Sequence, residues 1–122
     1  MSSNILIKEN APHYIWGENC DGWVLVENEN LSVKQERMPA HTSEQLHYHE
    51  KAQQFFFILK GKATFEVEDE KVEVKVNEGL HIEAGKKHRI MNNGEDDLEF
   101  ILSSQPTTMG DRINIPLTPK GE

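Results

Sequence analysis

Two histidines separated by a single residue are the sharpest chemical feature of the sequence. They occur in the segment His47-Tyr48-His49. On a β-strand, alternate residues point to the same side and lie roughly 6.5–7 Å apart along the chain. Two imidazoles placed in this way can bind one metal ion if they face inward, whereas on an exposed strand edge they are only solvated. The pair alone leaves both alternatives open.

A glutamine and a third histidine extend this chemistry. Gln54 begins an apolar segment that ends at Gly61. An amide at the start of such a strand needs a polar partner, which is either a metal ion at its carbonyl oxygen or a group on a neighbouring strand or loop. His88 follows the turn that begins at Gly85 and shares a strand face with Asn92.

The elements that must position these residues are predicted to be β-strands. Between Ala63 and Val76, apolar and polar residues alternate almost strictly, which predicts a hairpin with one solvated face. No segment has a sustained 3.6-residue apolar period with helix caps. Short strands separated by turn residues are typical of an all-β sandwich or barrel. The predicted strands cover residues 5–8, 22–27, 31–38, 45–49, 53–60, 62–68, 72–76, 80–84, 89–92 and 98–102, with 112–117 as a possible last edge strand.

One predicted strand is apolar on both faces. Its central residues are Phe55-Phe56-Phe57-Ile58-Leu59. One face of this strand is expected to line the interior, and the other to lie under a second layer, a terminal segment or a partner subunit. A homodimer is therefore expected.

Length, charge and cysteine content limit the class of protein. The 122 residues predict one domain over residues 1–122, with a core at about 22–103 and a tail at about 104–122. Thirteen basic against 21 acidic residues give a net charge of −8, which argues against nucleic acid and anionic membranes as partners. With Cys20 alone, no internal disulfide is possible. The N-terminus does not have the pattern of a secretory signal or a membrane span, so a cytoplasmic location is expected.

These residues together resemble the two sequence motifs of the cupin superfamily. The first is carried by His47-x-His49-(x4)-Gln54-(x6)-Gly61 and the second by Gly85-(x2)-His88-(x3)-Asn92. The resemblance implies an all-β fold, the double-stranded antiparallel β-helix or jelly-roll barrel. It also implies a metal ion inside the barrel, and on this chain its ligands would be His47, His49, Gln54 and His88.

The sequence departs from the cupin motifs at four positions. His41 replaces the glycine that begins the first motif, Glu83 replaces a proline, and Gly79 stands two residues closer to that position than in the consensus. Gln54 replaces the usual glutamate ligand, although some cupins similar to the pectin-degradation protein that linearises unsaturated uronates also use glutamine there. Loss of the metal is the alternative reading of this substitution.

A site of three imidazoles and one amide would leave the double charge of the ion uncompensated. Such an ion is a strong Lewis acid, suited to polarising a carbonyl or stabilising an enolate. The expected cofactor is a divalent transition metal, with Zn, Fe, Ni, Mn and Cu all compatible.

The expected partner is a small oxygen-rich metabolite. Isomerase, tautomerase or ring-opening chemistry on a sugar or a polyketide-like carbonyl compound is the first reading. A dioxygenase with the same ligands and a non-catalytic module that binds a sugar or other small ligand are the alternatives. Whether the chain is an enzyme stays open, because the cupin fold hosts all three classes.

The group that handles protons is less defined by the sequence. His41 is a candidate catalytic residue if it lies at the barrel mouth rather than in an exposed loop. Asn92 is a second candidate if it lines the cavity rather than caps a turn. His81 lies between two apolar residues and is expected to face solvent.

Two further groups have alternative readings. The aromatic residues Tyr14, Trp16 and Trp23 are interpreted as core or dimer contacts rather than a platform for a sugar. Arg112 either folds back to the barrel mouth to hold an anion or forms a surface ion pair.

Overall fold

Residues 5–116 of the computed structural model fold into twelve β-strands and one short 3₁₀ turn, Lys8–Asn10. The strands, in chain order, are β1 His13–Trp16, β2 Cys20–Glu27, β3 Ser32–Met38, β4 Thr42–Ser43, β5 His47–His49, β6 Gln53–Lys60, β7 Ala63–Val67, β8 Glu70–Val74, β9 Gly79–Ile82, β10 His88–Asn92, β11 Leu98–Gln105 and β12 Arg112–Asn114. Residues 5–116 contain no α-helix, and therefore no helix of this range could cross a membrane. The all-β expectation is confirmed.

The strands form two antiparallel sheets. The first has the order β1-β2-β3-β11-β6-β9, and the second has the order β12-β5-β10-β7-β8, with β4 also paired to β10. Many neighbours in space, such as β3 and β11, are far apart in the chain, as a jelly roll requires. The double-stranded antiparallel β-helix is therefore confirmed.

The apolar core lies between the sheets and borders the histidines. Phe56 of the first sheet packs edge-on against Phe65 of the second, with ring centroids 4.9 Å apart. Phe100 lies beside Phe56 at 5.7 Å, and the ring of His88 lies 6.4 Å from Phe56 on another side. One wall of the histidine cluster is thus apolar and close-packed, which limits how far these side chains can move.

Strand β6 places apolar side chains on both of its faces, as predicted. Phe56 and Ile58 are fully buried, whereas Phe55 and Leu59 on the outer face are 43% and 40% exposed. Within residues 5–116 this outer face is only partly covered. The homodimer that would bury it stays a prediction.

The ends of the chain differ most from the sequence-based expectation. A strand was expected at residues 5–8, but the first strand of the described residues is β1, His13–Trp16, which pairs with β2. At the other end, Arg112–Asn114 of the proposed edge strand pairs with β5, while Leu117 lies outside the described residues. The tail therefore returns to the strand that carries His47 and His49. The full extent of the domain, residues 1–122, stays a prediction.

Glycine at position 41 is expected to stabilise the chain. His41 has a φ of 61°, the left-handed region that disfavours residues with a Cβ, and the cupin motif has glycine at this position. We expect His41→Gly to raise the free energy of unfolding by up to about 1 kcal/mol, since relief of strain exceeds the extra entropy of an unfolded glycine. Urea denaturation measures the change. His41→Ala removes the same ring but keeps a Cβ, so an equal gain in that variant would contradict the explanation.

Candidate metal centre

Three buried histidines meet where β5 and β10 pair. His47 and His49 are alternate residues of β5, and His88, the first residue of β10, is directly opposite His47. One ring nitrogen from each lies within 4.8 Å of the others. The ring centroids are 4.4 Å apart for His47 and His88 and 4.9 Å apart for His47 and His49. The structure therefore brings the three predicted histidine ligands together in the interior.

Backbone carbonyls fix the orientation of all three rings. The Nδ1 atoms of His47 and His88 lie 2.8 Å from the carbonyl oxygens of Gln45 and Lys86. Nδ1 of His49 lies 3.3 Å from the carbonyl oxygen of Asp111. Because a carbonyl only accepts, each Nδ1 carries the proton and each Nε2 is left with a free lone pair. This is the arrangement by which proteins orient imidazoles toward a metal.

The Nε2 atom of His49 is better satisfied by a cation than by the surrounding protein. Nε2 of His49 is buried and has no hydrogen-bond partner among the described residues. A buried acceptor without a donor is costly, and a metal ion would satisfy it. The residues present therefore fit a divalent metal.

The side chain of Gln54 adjoins this cluster from β6. Its Oε1 lies 3.0 Å from Nε2 of His88, and its Nε2 donates to Oγ of Ser104 at 3.1 Å. Two acceptors face each other in this orientation, and either a shared cation or a rotated amide resolves the contact. The amide of Gln54 thus contacts one of the three histidines, and its role as a ligand stays a prediction.

Burial keeps the three imidazoles neutral. It lowers the pKa of His47, His49 and His88 to about 4. Arg112 lowers the pKa of His47 and His49 further, and neighbouring imidazoles lower that of His49 and His88. A metal ion binds the neutral imidazole, so no proton has to leave at neutral pH.

Asp111 anchors the loop that follows His49. Its carboxylate accepts the backbone N–H groups of Glu50 at 3.0 Å, Lys51 at 3.1 Å and Ala52 at 3.0 Å. Burial alone would raise the pKa of this carboxyl, but the three N–H bonds hold it below its ordinary value. The same residue offers its carbonyl oxygen to His49, so the loop and the ring are positioned together.

A cavity of about 250 Å³ opens onto the cluster. Three aromatic rings line it, those of Tyr14, Trp16 and Phe56. Its charged and polar lining residues are Lys34, Glu36, Glu44, His47, His49, Gln54, Thr108 and Arg112. Nη1 of Arg112 lies 3.3 Å from a carboxylate oxygen of Glu44. Both readings of Arg112 are thus partly correct, since it returns to the cavity and also forms an ion pair.

A tyrosine and a glutamate in this cavity were not predicted as site residues. The hydroxyl of Tyr14 donates to the carboxylate of Glu36, which is only 8% exposed. Burial raises the pKa of Glu36 to about 7, and burial followed by the charge of Glu36 raises the pKa of Tyr14 above its ordinary value. Trp16 packs against the core, as interpreted, and it also lines the cavity together with Tyr14.

The two catalytic candidates from the sequence lie outside the cavity. His41 is in an exposed loop. Asn92 is buried, but its Nδ2 donates to the carbonyls of Met38 and Asp96, and its Oδ1 accepts the N–H of Gly94. The amide of Asn92 is therefore fully used in holding a turn, and neither residue is placed to handle a proton. His81 faces solvent, as expected, and contacts Gln53 of β6.

Comparison with known proteins agrees with this architecture. The cupin domain family matches residues 34–104. An oxalate-binding protein of Thermotoga maritima is 32% identical over 65 residues, which are 53% of this chain and 54% of the relative, so the chain spans about half the length of that protein. The sugar phosphate isomerase of Silicibacter pomeroyi, from the cupin superfamily, superimposes with a TM-score of 0.73 at 14% identity, covering 84% of this chain and 76% of its own.

A second structure covers almost the whole chain. The polyketide cyclase RemF of Streptomyces resistomycificus has a TM-score of 0.78 at 15% identity, covering 97% of this chain and 88% of its own. At such identities the superpositions establish the fold, while the domain match covers more than half of the sequence. The chain belongs to the cupin family.

Proposed function

We propose that this chain is a metal-dependent cupin that acts on a small oxygen-rich metabolite by polarising a carbonyl group. The reaction we favour is isomerisation, tautomerisation or ring opening of a sugar or a polyketide-like carbonyl compound. The observation that carries this proposal is the cluster of His47, His49 and His88, whose three imidazoles are neutral. Among residues 5–116, no carboxylate belongs to this cluster and one Nε2 has no hydrogen-bond partner. These histidines and Gln54 are the proposed ligands.

A divalent transition metal bound there would supply concentrated positive charge at a substrate oxygen. The chain supplies the surroundings of that oxygen. Phe56 closes one side of the cavity, while Lys34 and Arg112 place cationic groups in its lining. A volume of about 250 Å³ is below that of most sites for drug-sized ligands, which favours a small polar molecule. Two proteins of similar fold, a sugar phosphate isomerase and a polyketide cyclase, support this substrate class.

The proposal is tested by following the exchange of carbon-bound hydrogen. The chain, purified without a tag and loaded with zinc, is incubated in D₂O with hydroxyaldehydes, ketoses, uronates and cyclic polyketide-like ketones. We expect the ¹H NMR signal of the carbon next to the carbonyl to disappear as deuterium replaces the hydrogen. Treatment with a chelator should stop this exchange. Oxygen consumption instead of exchange would identify a dioxygenase, and absence of bound metal would overturn the proposal.

A non-catalytic binding module is the second candidate, because the Thermotoga maritima relative is an oxalate-binding protein. It predicts that the zinc-loaded chain binds oxalate or a related small anion without any turnover. Calorimetry and the exchange assay on the same preparation separate the two functions.

Glutamate at position 54 is expected to tighten metal binding. Gln54→Glu adds a negative charge beside Nε2 of His88, and the hydroxyl of Ser104 can then donate to the new carboxylate. We expect the zinc Kd to fall by about tenfold or more, since a charged ligand interacts more strongly with the ion than an amide does. Competition with a chromophoric chelator measures the Kd.

The adjacent residue provides a matched control for this charge change. Gln53 is exposed on the opposite face of β6. Gln53→Glu should leave the Kd unchanged. Weaker binding by Gln54→Glu would mean that residue 54 is not a ligand.

A further inference from the structure

Three residues in register across the first sheet form a continuous lateral row. Tyr14 of β1 is opposite Gly22 of β2, and Gly22 is opposite Glu36 of β3. Residues paired in this way place their side chains on the same face of the sheet. The row therefore runs from the edge strand to the cavity.

The middle residue has no side chain, and this allows the two outer residues to meet. A Cβ built on Gly22 would lie 2.0 Å from Cζ and 2.4 Å from the hydroxyl of Tyr14. The ring of Tyr14 thus crosses over the backbone of Gly22, and its hydroxyl donates to Glu36. Any other residue at position 22 would displace this ring.

Glu36 is surrounded by charged groups of both signs. Burial raises the pKa of its carboxyl, and the negative charge of Glu44 raises it further. The hydroxyl of Tyr14 and the positive charges of Lys34 and Arg112 lower it. The pKa of Glu36 is about 7 as a result. The residues opposite Glu36 on β2 and β11 are Gly22 and Phe100, which carry no charge. The carboxyl therefore exchanges a proton near neutral pH.

We propose that Glu36 is the proton-transfer residue of this cavity and that Tyr14, through the opening at Gly22, is its positioning residue. This inference rests on the proposed function, for which it names the acid–base group. Glu36 lines the same cavity as His47 and His49, so a ligand held at the histidines shares this cavity with the carboxyl group.

The corresponding step needs no further reactant. The carboxylate of Glu36 takes a proton from the carbon next to the substrate carbonyl. The electron pair of that C–H bond becomes the C=C bond of an enol or enolate, and the carbonyl π pair moves to oxygen. For a 2-hydroxycarbonyl substrate, the hydroxyl proton then passes to the former carbonyl oxygen, and the O–H electron pair becomes the new C=O bond. The C=C pair takes back the proton from Glu36 at the former carbonyl carbon, which gives the isomer with protons and electrons balanced.

The first test measures the titration of Glu36 directly in the chain labelled with [5-¹³C]glutamate, without metal. Glu36→Gln identifies the signal by its loss. A midpoint near 7 is expected, and Tyr14→Phe should raise the pKa by about one pH unit because the carboxylate loses a donor.

Gly22→Ala should produce the same rise as Tyr14→Phe, although the substitution is at neither Glu36 nor Tyr14. The double variant should show no further rise, since both substitutions remove one interaction. A midpoint near the ordinary glutamate value, or one unmoved by Tyr14→Phe, would overturn the inference even if Gly22→Ala does not fold.

The second test counts protons when the zinc-loaded chain binds oxalate. A dianion in the cavity raises the pKa of Glu36 above its value of about 7, so at pH 7.5 the chain should take up between about half and three-quarters of a proton more than Glu36→Gln does. Calorimetry in buffers of different ionisation enthalpy gives this number. Glu73→Gln, at an exposed position on β8, is the matched control and should behave as the unmodified chain.

The two tests separate this inference from the function on which it rests. If zinc and oxalate bind but uptake is equal with and without Glu36, the inference is wrong and the metal site stands. If Glu36 titrates as expected but no zinc binds, the proposed function is wrong and the proton site stands.

Discussion

Replacing His88 with alanine should weaken zinc binding at least about 100-fold while leaving the chain folded. The substitution removes one of three imidazoles whose nitrogens lie within 4.8 Å of one another. Loss of a residue that only supports a ligand already costs 10–100-fold in affinity, so loss of a ligand should cost more. His47→Ala should behave in the same way. Competition with a chromophoric chelator gives the affinity, and circular dichroism reports the fold.

His81 provides the control for this prediction. It is an exposed histidine of β9, and its ring contacts Gln53 rather than the cavity. His81→Ala removes an imidazole of the same chain and should leave the zinc affinity unchanged. Equal zinc content in His88→Ala and the unmodified chain would refute the metal assignment.

The sequence identified the histidine cluster because its pattern is local. His47 and His49 are two residues apart on one strand, and the motif spacing relates them to Gln54 and His88. The central strands were also predictable, since β6 coincides with an apolar run and β7 with a strictly alternating one. In such segments the burial of one face largely determines the strand and its register.

The proton-handling residues were not predictable because they meet through pairing between distant strands. Tyr14 reaches Glu36 only when β1, β2 and β3 align in one register. Asp111 lies 62 residues from the histidine that it supports. Neither relation leaves a periodic pattern in the sequence. The motif also could not exclude Asn92, whose amide is used by a turn that only the folded chain displays.

Glu36 is expected to lower the stability of the chain in a pH-dependent way. Its carboxyl has an ordinary pKa of 4.5, which burial raises to about 7 in the folded state. We expect Glu36→Gln to gain stability relative to the unmodified chain as the pH rises from 4.5 to 7, by about 3 kcal/mol in total. Urea denaturation of chelator-treated protein at several pH values measures this difference.

The sign follows from where the proton is held. Below pH 4.5 the carboxyl is protonated in both the folded and the unfolded chain, so ionisation contributes nothing. Between 4.5 and about 7 the unfolded chain releases the proton and the folded chain retains it, so stability falls as the pH rises. The buried histidines titrate in both variants, and their contribution cancels in the difference. Glu73→Gln makes the same change at an exposed site and should not gain stability over this pH range. An equal gain in both variants would contradict a carboxyl that burial holds protonated at position 36.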